Sequence, residues 1–235
     1  RLLLNKICLT LLLLGLISCG EPNPTSEQTT QKNNNTPTNK VETPKTVAKK
    51  KKKQIIFFGD SLTAGYGLDD PADSFVGVIQ EKLEAANLDY KAVNAGVSGE
   101  TSSGGEERVD WILQQSEIDI FVLELGANDG LRGIKTEETI QNLQSIFDKV
   151  KAKFPDAKLV LAGMLAPPNM GVDFTEKFAA IFPKVAKEND AALIPFLLDG
   201  VGGIPALNQR DGIHPTVEGH QILADNVWKV LKDIL

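Results

Sequence analysis

From Gln54 to the end of the chain, apolar residues fall alternately into short unbroken runs and into stripes spaced three and four apart. The runs are Gln54 to Phe58, about Tyr90 to Asn94, Ile120 to Leu125, Lys158 to Met164 and about Ala191 to Phe196. Runs of this length, bounded by glycine and polar residues, predict strands buried on both faces. The stripes predict helices over roughly Ser74 to Ala86, Glu106 to Gln115, Thr136 to Lys153, Asp173 to Asn189 and Thr216 to Leu235. In the third of these the face is Ile140, Leu143, Ile146, Phe147 and Val150. Strands separated by helices of this length imply right-handed crossovers, so the fold class is α/β, a parallel sheet with helices on both faces.

The pattern is different before Gln54. Arg1 and Lys6 precede a nearly all Leu and Ile stretch ending at Ile17, the signature of a signal peptide and too short for a confident membrane span. Leu16-Ile17-Ser18-Cys19 resembles a bacterial lipobox, in which the cysteine is lipidated and becomes N-terminal after cleavage. Residues 1–19 are therefore expected to be a lipoprotein signal peptide with Cys19 as the lipidation site. Gly20 after it, not Asp, leans towards outer-membrane sorting if the source is Gram-negative. The first residue is Arg rather than Met, so the N-terminus is expected to be truncated or mis-assigned. Residues 20–53 are Asn, Thr, Pro, Gln, Ser and Lys with few large apolar side chains, a composition that cannot offset its ordering entropy; they are expected to form a flexible tether ending in the Lys49 to Lys53 run. Residues 54–235 form the folded domain. The expected location is the bacterial cell envelope, lipid-anchored on its periplasmic or extracellular face.

Charge divides at the same boundary. Residues 1–53 carry ten Lys and Arg against three Glu, and residues 54–235 fifteen against twenty-eight Asp and Glu. An acidic domain argues against nucleic acid as substrate, because phosphate binding depends on clustered basic side chains. Both cysteines, Cys8 and Cys19, precede the domain, which leaves it with no disulfide, thiol nucleophile or cysteine metal site.

The candidate chemistry lies where the runs end. The first run breaks into Gly59-Asp60-Ser61-Leu62, placing a serine at the carboxyl end of a buried strand, where open α/β sheets keep their crevices. Taken alone, this is as well read as a serine capping the next helix. Three further stretches change the balance: Asn94-Ala95-Gly96-Val97-Ser98-Gly99-Glu100-Thr101, Glu124-Leu125-Gly126-Ala127-Asn128-Asp129-Gly130-Leu131-Arg132-Gly133, and Asp211-Gly212-Ile213-His214-Pro215. A serine needs a base, and the domain offers only His214 and His220. His214 follows Asp211 by three residues, close enough for that carboxylate to fix its tautomer; His220 lies in the last helix and reads as a surface or packing residue.

In order and wording, these four stretches resemble the motifs of the SGNH (GDSL) hydrolases, closest to the bacterial extracytoplasmic thioesterase, arylesterase and lysophospholipase branch, over essentially residues 54–235. The resemblance implies a three-layer αβα sandwich on a five-stranded parallel sheet of flavodoxin-like type. It implies a serine esterase acting on aryl and alkyl esters, acyl thioesters or lysophospholipids through a Ser61-His214-Asp211 triad. The oxyanion donors would be the Ser61 and Gly99 backbone N–H groups and the Asn128 amide, and no cofactor is needed. Asp60, Met164, Pro167 and Met170 are candidate substrate contacts. For the loop holding the last three, an acyl groove and an exposed connector are equally good readings. The alternatives are a carbohydrate O-acetyl esterase of the same fold and a non-enzymatic envelope lipoprotein. Asp60 has no neighbouring His or Cys, which argues against a metal site. The phosphate-loop ending Gly-Lys-Ser/Thr is missing, and Thr63 stands where the α/β-hydrolase elbow has glycine.

Overall fold

The computed structural model describes residues 51–235. The proposed signal peptide, Cys19 and residues 20–50 of the tether lie outside the described residues. Five strands, β1 (Lys53–Gly59), β2 (Tyr90–Gly96), β3 (Ile120–Glu124), β4 (Lys158–Ala162) and β5 (Ala192–Ile194), form one all-parallel sheet in the order β2-β1-β3-β4-β5. β1 is an interior strand, flanked by β2 and β3, because its middle is apolar: Ile55, Ile56, Phe57 and Phe58 are completely buried. Each such side chain contributes roughly 1.5–3 kcal/mol by leaving water.

Eight helices are interspersed: α1 (Ser61–Ala64), α2 (Phe75–Ala85), α3 (Ser102–Gln115), α4 (Ala127–Arg132), α5 (Thr136–Lys153), α6 (Val172–Ala179), α7 (Ile181–Glu188) and α8 (Val217–Leu231). The chain moves from β1 outward to β2, then reverses across β1 to β3, β4 and β5. Right-handed crossovers then place α2 on one face and α3, α5 and α7 on the other. The packing agrees, with α2 against α8, and α3 and α7 against α5. The reversal opens a crevice between the carboxyl ends of β1 and β3.

Several expected boundaries shift, the last helix ending at Leu231 and β4 at Ala162, and three of the shifts have a clear physical reason. The helix expected over Asp173 to Asn189 is two helices broken at Ala180, since Pro183 has no N–H to donate back to Ala179. The helix expected from Glu106 starts at Ser102, through Gly104 and Gly105. Glycine weakens a helix, but a Cβ on Gly105 would lie 2.2 Å from Leu125 Cδ1, so contact with the sheet dictates it. The last strand stops at Ile194 because Pro195 follows. Two short helices, α1 and α4, have no apolar stripe to announce them.

Candidate active site

β1 ends at Gly59, which registers with Gly96 on one side and Glu124 on the other. The chain turns sharply here into α1. Asp60 is the N-cap, its Oδ1 accepting from Leu62 N at 3.0 Å, and Ser61 is the first helical residue. A Cβ on Gly59 would come within 2.5 Å of Thr63 Oγ1, Glu124 Oε2 and Glu124 O, so only glycine permits the turn. Ser61 is 9 % exposed, a hydroxyl at the surface of a rigid floor.

The base arrives from the far end of the chain. Asp211 Oδ1 accepts from the backbone N–H groups of Ile213 and His214, both at 3.0 Å, which folds the loop into a side-chain-closed turn. Asp211 Oδ2 then lies 2.7 Å from His214 Nδ1, and His214 Nε2 lies 2.9 Å from Ser61 Oγ. An ionised carboxylate only accepts, so Nδ1 carries the hydrogen and Nε2 presents its lone pair to the serine. Hydrogen bonds from the His214 ring and from both backbone N–H groups hold the Asp211 carboxyl down at about 2. Gln209 ties this loop to the turn after Ser61. Its N–H donates to His214 O at 2.7 Å, and its Nε2 donates to Tyr66 O at 2.8 Å and Pro215 O at 2.9 Å. The Tyr66 ring packs on the imidazole, centroids 4.5 Å apart.

The backbone N–H groups of Ser61 and Gly99 have no acceptor among the described residues. Gly99 has φ +81°, and a Cβ there would meet nothing within 4 Å, so its peptide faces open space. Arg132 holds that loop from outside, donating to Gly99 O at 2.9 Å, and the Glu100–Arg108 ion pair holds it from below. Asn128 is placed by α4, which starts directly after β3; its Nδ2 donates to Asp60 Oδ2 at 3.0 Å and Glu100 O at 3.1 Å. Asp129, buried behind it, accepts from Ser102 N and from the Ser102 and Thr139 hydroxyls, binding α4 to α3 and α5.

The structure thus brings Ser61, His214, Asp211, Gly99 and Asn128 to one edge of the sheet. Two candidate substrate contacts need correction. Asp60 is fully buried with both oxygens occupied, because it builds the floor and does not line the mouth. Met164 is 2 % exposed and belongs to the core. Pro167 and Met170 remain partly exposed, and Met170 Cε sits beside Gly133. His220, read as a surface or packing residue, is the latter: it is buried, and its Nδ1 accepts from Phe75 N at 3.2 Å. Burial, helped by the His214 charge, pushes its pKa down to about 4.

Glu124 was not singled out by the sequence reasoning. It is 1 % exposed, and its Oε2 accepts from Thr63 Oγ1 at 2.7 Å, Asp60 N at 3.2 Å and Thr63 N at 3.3 Å. The available signal was a lone carboxylate inside the apolar run Ile120 to Leu125. Among the described residues no three His, Cys, Asp or Glu side chains converge as a metal ion would require.

Comparison with known proteins points the same way. The model of the GDSL-like lipase/acylhydrolase family matches residues 57–222. The chain is similar to Esterase TesA of Pseudomonas aeruginosa, 40 % identical over 181 residues, 77 % of this chain and 89 % of that protein. It is 36 % identical over 181 residues to the Thioesterase 1/protease 1/lysophospholipase L1 of Escherichia coli K12, 77 % of this chain and 84 % of that protein. Among solved structures, the psychrotrophic esterase EstA from Pseudoalteromonas sp. superposes with a TM-score of 0.72 at 32 % identity, covering 77 % of this chain and 98 % of that one.

Proposed function

The chain belongs to the GDSL-like lipase/acylhydrolase family, and from that premise we propose that it is a serine esterase cleaving carboxylic ester and thioester bonds through an acyl-enzyme on Ser61. The observation that carries this reading is the relay Asp211 Oδ2–His214 Nδ1 at 2.7 Å and His214 Nε2–Ser61 Oγ at 2.9 Å. His214 Nε2 takes the serine proton as Oγ bonds to the carbonyl carbon, and Asp211 stabilises the resulting imidazolium. The Ser61 and Gly99 N–H groups and the Asn128 amide receive the oxyanion, with Asn128 sharing a hydrogen it now gives to Asp60 or Glu100 O. Collapse expels the alcohol or thiol, protonated by His214. A water deprotonated by the same imidazole then frees the acid and restores Ser61.

Support for an acyl substrate comes from the mouth. Tyr66, Val97, Leu165 and Ile213 on loops, Leu131 in α4 and Val172 at the start of α6 are exposed apolar side chains that follow the carboxyl ends of the strands. The relatives carry the names thioesterase, protease, lysophospholipase and arylesterase, of which the esterase and thioesterase names match the reading proposed for this chain. The test is hydrolysis by the full chain of p-nitrophenyl esters from acetyl to palmitoyl, with lysophosphatidylcholine and acyl-CoA alongside. Ser61→Ala should lower kcat by about 10⁶; undiminished turnover in Ser61→Ala and His214→Ala refutes the reading.

For the N-terminal segment the reading is a lipid anchor at Cys19, supported by the Leu16-Ile17-Ser18-Cys19 wording and the apolar run before it. Cys19→Ser should move the protein from the membrane to the soluble fraction of the cell envelope. Persistence of Cys19→Ser in the membrane fraction excludes the anchor.

A further inference from the structure

Beneath Ser61, two carboxyl groups share one buried pocket. Asp60 and Glu124 are both closed off from water. Glu124 Oε2 is saturated by three donors from the serine turn, while its Oε1 has no donor among the described residues. Asp60 places its two oxygens on Leu62 N and the Asn128 amide. The charged groups facing the pair do not compensate two anions. His214 approaches Asp60 from the last loop and also serves Ser61. Arg108, from α3, is committed to Glu100 and lies over the Phe58 ring. Thr63 and Asn128 are neutral, as is Asn94 of β2, which donates to Thr63 O.

Two ionised carboxylates this close without a cation cannot both persist. An unpartnered buried carboxylate oxygen is also costly, whereas a protonated one becomes a donor to the carboxylate beside it. We infer that Glu124 is held in its protonated, neutral form and is a positioning residue: Oε1–H donates to the Asp60 carboxylate while Oε2 gathers the N–H groups and hydroxyl of the Ser61 turn. Burial, and then the Asp60 charge, drive the Glu124 pKa well above the carboxylate range. Burial also raises Asp60, to about 6, with the hydrogen bond from Glu124 among the influences that oppose it. The consequence reaches the reaction through geometry. Glu124 sets the turn so that Ser61 N–H stays free, and through Asp60 it sets the Asn128 amide; both are donors proposed above for the oxyanion.

This inference rests on the esterase reading for its effect on turnover, but not for the protonation itself. The experiment uses the full chain and three forms: native, Glu124→Gln and Glu124→Leu. Gln reproduces the acceptor and donor of a neutral Glu, and Leu reproduces neither. Glu124→Gln should keep kcat within about three-fold and leave the pH profile of kcat/KM in place. Glu124→Leu should lose roughly 10- to 100-fold in kcat with little change in KM, the scale of a small misplacement of reacting groups. Infrared spectra at neutral pH should show a protonated-carboxyl C=O band in the native protein that Glu124→Gln lacks. Equal damage in Gln and Leu, or a band unchanged by Glu124→Gln, overturns the inference, as does a fully active Glu124→Leu. Should Glu124→Leu not fold, the Gln variant and the band decide alone. If no form cleaves an ester, the esterase reading falls while the band still reports on Glu124.

Discussion

The rim of the site and its floor hold the same functional group in contrasting states. On the rim, Asp211 keeps 39 % of its side chain in contact with solvent, and three hydrogen-bond donors hold it ionised. On the floor, Asp60 and Glu124 are sealed from water and pushed towards the neutral form. One acidic domain thus holds one carboxyl ionised beside an imidazole and drives two others towards the neutral form. Exposure and donors decide the first, and burial with a like charge decides the second. The histidines divide similarly: His214 faces the crevice, while His220 is buried against Phe75.

The largest effect is expected from neutralising the rim. Asp211→Asn keeps the size of the side chain but favours the wrong imidazole tautomer, and kcat should fall by about 10³–10⁴ with the fold intact by circular dichroism. A loss no greater than that of an exposed surface aspartate would mean that the rim carboxylate does not support His214. Next comes the residue that joins the two regions. Asn128→Ala removes the proposed oxyanion donor and should lower kcat by about 10²–10³, read most directly as weaker binding of a phosphonate ester relative to substrate. It also removes a donor from Asp60, so the Asp60 titration should move up; an unmoved titration separates rim from floor.

The smallest effect is on stability. The His220 pKa is depressed, from 6.5 unfolded to about 4 folded, so the unfolded chain binds the extra proton between those values. The neutral ring's stabilisation is therefore complete above pH 6.5 and is lost as pH falls towards 4, roughly 3 kcal/mol in all. His220→Asn, which retains an acceptor for Phe75 N, should flatten that decline in Tm across pH 4–6.5. A decline as steep as in the native protein would assign it to other groups. The floor acid acts in the opposite direction, since a raised Asp60 pKa makes stability fall as pH rises from the unfolded carboxylate range to about 6.

The strand and helix alternation was legible because each run or stripe is long and serves one layer; α5 spans Thr136–Lys153 as its stripe predicts. What escaped was decided by contact across the fold. Gly105 lies in a helix because Leu125 leaves no room for a side chain, and Asp60 lies under the site because Glu124 of β3 and Asn128 of α4 converge on it. The Ser61, Asp211 and His214 positions were legible from short motifs that carry their own turns. Glu124 was not, since a carboxylate inside an apolar run shows its role only when register sets it opposite Gly59. Strand order was equally silent, because periodicity carries no record of which strand lies beside which.

The hydrogen bond between Ser61 and His214 joins residues 153 positions apart. A chain emerging from the ribosome N-terminus first therefore offers its serine long before its base exists. The turn bearing Ser61 must also wait for β3, whose Glu124 accepts hydrogen bonds from it, and the histidine loop is the last segment to appear before α8. On the proposed mechanism, nucleophilicity is thus a late event in biogenesis, acquired only when nearly the whole polypeptide has been made, and a prematurely terminated product would carry an inert serine.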